Sequence, residues 1–321
     1  MASVNDLTVV ITVNKKDLWF CRMCVASIRY YYPTIPILLI KDELNGGFST
    51  IELEKKWNVG LLDFAIKKFG WSAAKIFLYT DSRFYGKYLF VIDSDIIFIG
   101  KVLDQFLDQM QEYDVFVSSE LEVNPYASWV KNVYFDVKSI ETKNSRYAYP
   151  GYFFNAGQLL VKGGLVKKEE ITDYFDFKNY PYWKNLIELP LVDQSLFNFL
   201  FPIMEKENQI KVNANFSFML WSKDEKCKDI TVDDIISDFN LQYLIHWAGD
   251  IRTPYIAKMK NAELLKFFEN YYYTKIKFGG LIRSIRLINS FLIFWFLNLK
   301  KSIKYHLIRN KISNHLTKET Y

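Results

Sequence analysis

Three runs in the first hundred residues are apolar with almost no alternation: LTVVITV (Leu7–Val13), PILLIKD (Pro36–Asp42) and YLFVIDSDIIF (Tyr88–Phe98). A strand with one wet face alternates apolar and polar residues. A run without alternation has to be covered on both faces, the condition of a strand in a parallel sheet. Helical segments are expected between them: one ending near Tyr32 ahead of Pro33, one around 50–69 after the loop Asn45–Gly47, and one over Ser72–Tyr79. VLDQFLDQMQEY (Val102–Tyr113) has helical spacing, and DVFVSS (Asp114–Ser119) reads as a further strand. Strand and helix in turn predict an α/β domain with a mainly parallel sheet flanked by helices. Beyond residue 120 the alternation loosens, with a strand expected at GYFFNAGQLLV and a helix entry at LPLVDQSLFNFLF.

Charge separates the body from the tail. Residues 275–321 carry ten Lys/Arg and a single acid, Glu319, while the rest of the 321 residues has a small excess of acids. A nucleic acid is therefore excluded as the body's main partner, because that needs a basic stripe on the fold itself. The tail also holds LINSFLIFWFLNL (Leu287–Leu299), with Arg283 and Arg286 before it and Lys300, Lys301 and Lys304 after it. Thirteen residues are short of the roughly 20 that a span needs. Leu281, Ile285, Ile288, Leu292, Trp295 and Leu299 recur at helical spacing. The expectation is an interfacial anchor whose flanking cations meet anionic headgroups, with packing on the body or on a second copy as the alternative. The domain reading is 1–270 for the α/β body and 271–321 for the membrane-associating tail, and localisation is cytoplasmic, peripheral at the membrane.

Cys21, Cys24 and Cys227 form no disulfide framework. Cys21 and Cys24 are expected on one buried helix face, and a reducing compartment fits. MASVNDLTVV lacks the basic start and apolar core of a signal peptide.

The chemistry is expected at Asp93 and Asp95. Residues i and i+2 of a strand point the same way, so both carboxylates project beyond the carboxyl end of the strand, where ligands bind in such sheets. Their repulsion is relieved by a hard divalent cation, Mn²⁺ or Mg²⁺; the competing reading is turn and helix-cap duty. His246, in LQYLIHWAGD, is the one histidine outside the tail. An imidazole is an acceptable third ligand for Mn²⁺, and Arg252, close behind, suits a diphosphate.

VIDSD, FNAG (Phe154–Gly157), DQ (Asp193–Gln194) and HWAGDIRTPY (His246–Tyr255), in that order and spacing, resemble the GT-A glycosyltransferases of the glycogenin and bacterial lipopolysaccharide galactosyltransferase group. The resemblance covers about residues 7–255. It implies a Rossmann-like GT-A fold and a metal-dependent hexosyl transfer with retention. The donor would be a nucleotide-diphosphate sugar, a UDP-sugar in this family, and the acceptor a glycolipid or surface-polysaccharide precursor. Asp93, Asp95 and His246 match the metal ligands, with Ser94 inside the same donor-binding motif. Gly249 and Arg252 match the family's glycine and its phosphate-contacting lysine. Asn155 and Ala156 match the lining of the donor-sugar pocket, and Asp193 and Gln194 match the pair that contacts the transferred sugar near its anomeric carbon. Lys75 falls near the family's basic residue ahead of the D-x-D, and Val13 and Asn14 near the nucleotide base. The first loop, TVNKKDLWF, lacks the family's usual aspartate and tyrosine, and Ser195 stands where an acid often follows the D-Q pair; the base and donor sugar stay open. Two alternatives stand beside this reading. One is an inverting transferase with Glu120 or Asp193 as base. The other is a non-catalytic membrane-associated binding protein on the same fold. Oligomeric state is open.

Overall fold

The computed structural model describes residues 3–316 apart from 71, 121–122, 185–187, 238–239 and 251, with the backbone alone given for 5 and 301–316. The chain forms two compact units, Met1–Asp250 and Ile251–Tyr321.

In the first unit the strands are β1 (Leu7–Asn14), β2 (Ile37–Asp42), β3 (Val59–Leu61), β4 (Tyr88–Asp93), β5 (Ile96–Gly100), β6 (Val115–Glu120), β7 (Phe153–Phe154), β8 (Gln158–Lys162), β9 (Val212–Phe216), β10 (Met219–Trp221) and β11 (Gln242–His246). Its helices are α1 (Leu18–Tyr31), α2 (Ile51–Trp57), α3 (Ala73–Tyr79), α4 (Val130–Val133), α5 (Val137–Lys143), α6 (Val192–Lys206), α7 (Glu225–Asp229) and α8 (Val232–Ser237). The main sheet runs β3-β2-β1-β4-β8-β6-β7, with β9 on β6, and a three-stranded sheet runs β10-β11-β5. β3, β2, β1 and β4 are all parallel; β8 is antiparallel to β4 and to β6. This is the mainly parallel, helix-flanked α/β architecture expected.

The unalternated runs are the reason. In β1, Leu7, Val9, Val10 and Ile11 are fully buried, and β4 repeats this with Leu89, Phe90, Val91 and Ile92. At about 1.5–3 kcal/mol for each such side chain removed from water, these two neighbours dominate the sheet's centre. α1 stops where Pro33 requires. Its buried Arg29 reaches the carbonyls of Trp57 and Asn58 (2.9 and 2.8 Å), tying α1 to the open end of α2.

Three local expectations change. The helix expected over 50–69 ends at Trp57, because Asn58 turns left-handed (φ 50°) and residues 59–61 join β2 as an edge strand. The helix expected over 102–113 is one 3-10 segment, Val102–Phe106, followed by turns. There the Tyr32 hydroxyl accepts from Leu103 N (2.9 Å) and donates to Asp104 (3.0 Å), so a tertiary contact overrides local spacing. The run Tyr88–Phe98 is two strands in different sheets, split at Ser94 and Asp95.

The second unit contains α9 (Ala262–Thr274) and α10 (Gly279–Leu316). α10 far exceeds the thirteen-residue apolar run Leu287–Leu299. Its stretch Gly279–Lys300, 22 residues, is long and apolar enough to cross a membrane and only 6% of it is buried. Arg283 and Arg286, expected to face headgroups, instead turn onto the buried carboxylate of Glu269 in α9.

Candidate active site

β4 ends at Asp93, the chain turns through Ser94 and Asp95, and β5 leaves in the other sheet. Both carboxylates thus lie where the parallel strands present their carboxyl ends. Asp93 is fixed from three sides: Thr12, its partner in β1, donates from Oγ1 (3.3 Å), Lys75 pairs with it (2.9 Å), and its own N–H reaches the Gly157 carbonyl (2.8 Å).

The pairing of β11 with β5 brings His246 in from about 150 residues away. His246 sits opposite Ile96, and Trp247 N donates to the Asp95 carbonyl (3.2 Å). His246 Nε2 is then 3.3 Å from Asp95 Oδ1 and 4.0 Å from Asp93 Oδ2. The ring is 1% exposed and lies parallel to Trp221 (13°, centroids 5.5 Å apart). Neither of its nitrogens has a hydrogen-bond partner among the described residues. A buried polar group left unsatisfied costs about 1–3 kcal/mol, so such a ring is unfavourable unless something else fills its lone pair. One atom from each of Asp93, Asp95 and His246 falls within a 4.8 Å group. Two carboxylate oxygens and one imidazole nitrogen suit a hard or borderline divalent cation, so the residues fit the metal that the sequence implies.

Beneath Asp93 lies Lys75, 2% exposed, whose ammonium meets Asp93 (2.9 Å), Asp193 (3.1 Å) and the Ala156 carbonyl (2.8 Å). Three protons serve three acceptors. Burial works against the ammonium, but the two carboxylates outweigh it and leave its pKa raised. Asp193 opens α6, where the helix dipole favours an acid. Burial raises its pKa, Lys75 opposes this and Asp93 adds to it. Next to it, Gln194 Oε1 accepts from Asn155 Nδ2 (2.8 Å). A two-way amide pairing holds α6 to β7: Asn198 accepts from Phe154 N (3.0 Å) and donates to Phe154 O (2.9 Å).

Lys75, Asp193 and Gln194 share one cavity of about 500 Å³ with Asp93, His246, Asn155, Ala156 and Gly249 in its wall. Gly157 is there for space. A Cβ on it would lie 2.5 Å from His246 Cε1 and 2.6 Å from Asn155 Oδ1. Gly249 has φ +74°, the left-handed region that a glycine adopts without strain. Five further wall residues were not legible as site residues or were weighed only as a base: Trp129, Tyr134, Trp221, Lys223 and Glu120. Glu120 accepts from the Tyr134 hydroxyl (2.9 Å), and burial raises its pKa against that hydrogen bond. Nothing periodic in the sequence marks Trp129, Tyr134, Trp221 or Lys223.

The remaining expected residues lie elsewhere. Val13 is buried in β1, and Asn14 uses its amide in the turn into α1, bonding Asp17 and the N–H groups of Lys16 and Asp17. Ser94 is buried in the turn between the aspartates. Arg252 is exposed and belongs to the second unit. Cys21 and Cys24 are buried in α1, where burial pushes the Cys21 thiol up to about 12 and raises Cys24 as well. Neither is poised as a thiolate.

No family model matches the sequence, and no curated protein matches it. Solved structures do. The apo structure of the bifunctional glycosyltransferase WbbM superposes with a TM-score of 0.51 at 16% identity, over 83% of this chain and 49% of that one. The chain therefore spans about half the length of WbbM. The galactosyltransferase LgtC, in complex with donor and acceptor sugar analogues, matches at TM-score 0.47 and 13% identity, over 84% of this chain and 96% of that one. GlyE of Streptococcus pneumoniae matches at 0.46 and 16%, over 88% and 62%. The likeness to WbbM shows the fold: this chain has the GT-A type of α/β architecture.

Proposed function

We propose that the chain transfers a hexose from a nucleotide-diphosphate sugar, a UDP-sugar in the first instance, to a glycolipid or surface-polysaccharide acceptor, with retention at the anomeric carbon. Residues 1–270 carry the transfer. Residues 271–321 associate the protein with an anionic membrane surface, making it peripheral at the cytoplasmic face. The observation that carries the reading is the buried His246 ring. Among the described residues neither of its nitrogens has a hydrogen-bond partner, and it lies beside two carboxylates at a cavity built on a GT-A sheet.

Asp93, Asp95 and His246 are the residues that hold Mn²⁺ or Mg²⁺. When bound, the ion neutralises the leaving diphosphate. Lys75 does not supply a loose cation to the phosphates, since its protons are all taken. It pairs with both Asp93 and Asp193 and holds them at fixed separation. Asp193 and Gln194 then orient the sugar, with Asn155 holding the Gln194 amide oxygen. Arg252 is assigned to the diphosphate by its place in the motif, and Val13 and Asn14 to the nucleotide base.

The inverting alternative keeps one candidate. Asp193 is committed to Lys75, whereas Glu120 is half-buried in the cavity wall with a raised pKa, the property wanted in a base. The anomeric configuration of the product, read by NMR, separates the two readings. The test of the proposal as a whole is calorimetry of nucleotide sugars with Mn²⁺. Wild type should bind at least one of them. Asp95→Asn should lose most of that affinity and all transfer. Wild-type protein that binds none would leave the non-catalytic reading in its place.

A further inference from the structure

The second unit shows how its apolar helix is held. Counted along α10, Arg283, Arg286, Ser290 and Phe294 recur every three or four residues and so share one face. That face is docked on the unit's own residues. Arg283 Nε pairs with Glu269 (3.1 Å), and the Arg286 guanidinium meets the other oxygen of the same carboxylate. Arg286 Nη1 also donates to the Pro254 carbonyl (2.9 Å). Ser290 is buried, and the Phe294 ring lies 5.3 Å from that of Tyr255. Glu269 itself is 3% exposed.

The rest of the circumference is apolar and open: Leu281, Ile285, Ile288, Leu292, Trp295 and Leu299 are each more than 40% exposed. Exposed lysines bracket this surface, Lys275 and Lys277 before it and Lys300 after it. Cations around an apolar face are complementary to anionic phospholipid.

Length alone would let Gly279–Lys300 cross a bilayer. The docking does not. A crossing helix needs lipid or other apolar surroundings over about 20 residues. Here residues 283–294 are held along one side by a buried acid, two arginines and a backbone carbonyl. Only five apolar or polar-neutral residues, 295–299, lie between Phe294 and Lys300, about 8 Å of helix at 1.5 Å per residue.

We infer that residues 254–300 form a monotopic seat in which Glu269 clamps α10 so that it lies in the plane of an anionic phospholipid bilayer and does not cross it. This rests on the proposed membrane association and adds its geometry. The exposed face enters the bilayer sideways, to about the 5–10 Å typical of interfacial helices, and the clamp fixes which face that is.

The test uses the full chain with a spin label on a cysteine placed in turn at Ile285, Ile288, Leu292 and Leu299, on vesicles of phosphatidylglycerol and phosphatidylcholine. The native cysteines are buried, so they add little labelling background. Binding should be about tenfold or more tighter than to phosphatidylcholine alone, and all four labels should report one shallow depth. Depths that pass steadily through the bilayer midplane would overturn the seat in favour of a span. Equal binding to both vesicle types would remove the role of the lysines. No binding to either would remove the membrane association itself, a separate outcome. Glu269→Ala, or the milder Arg283→Gln, should scatter the four depths; an unchanged uniform depth in both variants would overturn the clamp.

Discussion

At the scale of single residues, the site depends on a few groups whose neighbours leave them no alternative. Lys75 is one. With it removed, Asp93 and Asp193 face each other without a counter-charge, and breaking a buried ion pair from one side costs about 3–5 kcal/mol. Lys75→Met should therefore lower unfolding stability by that order in urea titration and abolish transfer. Gly157 is another. A methyl group there meets His246 and Asn155 at once. Gly157→Ala should cost about 1–3 kcal/mol, as overpacking does, and should weaken Mn²⁺ binding in calorimetry by moving the imidazole. Glu120 supplies a pH signature. Its folded-state pKa is raised, so its charge disfavours folding as pH climbs through that value, and the penalty vanishes when it is protonated at low pH. Glu120→Gln keeps an acceptor for Tyr134 and removes the charge. Its stability relative to wild type should be greater at pH 8 than at pH 4, measured as the difference in urea midpoint.

At the scale of elements, what was legible and what was not follow different physics. The central strands could be read because burial on both faces writes itself into composition: β4 has no charged or amide residue before Asp93 at its carboxyl end, and β1 carries only Thr8 and Thr12 among apolar residues before Asn14. The two aspartates of the candidate metal cluster stood out for the same reason, as charges that interrupt such a run. The short 3-10 turn at 102–106 and the edge strand β3 were not readable. They are set by Tyr32 and by Asn58, contacts or backbone angles that leave no periodic trace. The same holds for Trp129 and Lys223, which come to the cavity from connecting segments, and for Trp221, at the end of the three-residue strand β10. The α6–β7 junction is a third such case, resting on the amide of Asn198. Asn198→Leu removes the side-chain partner of both the Phe154 N–H and its carbonyl, and should cost about 2–6 kcal/mol in unfolding stability, two groups at about 1–3 kcal/mol each. It should also reduce kcat by letting Asp193 and Gln194 drift.

At the scale of the whole molecule, two compact units carry two kinds of surface: a cavity lined by charged and aromatic side chains in the first and an apolar helix face in the second. Removing residues 275–321 should release the protein from phosphatidylglycerol vesicles in a sedimentation assay while leaving hydrolysis of a soluble nucleotide sugar in place. The cavity has a further property that follows from counting its charges. Asp93, Asp193 and Glu120 line it, with Asp95 beside the His246 ring, against two ammonium groups, Lys75 and Lys223. The pocket is therefore negative before anything enters it, and a diphosphate is negative too. Under the proposed function a nucleotide sugar arriving alone would meet repulsion, so loading would have an order: the divalent ion before the donor or with it. Steady-state kinetics should show that order, and chelation should abolish donor binding as well as turnover.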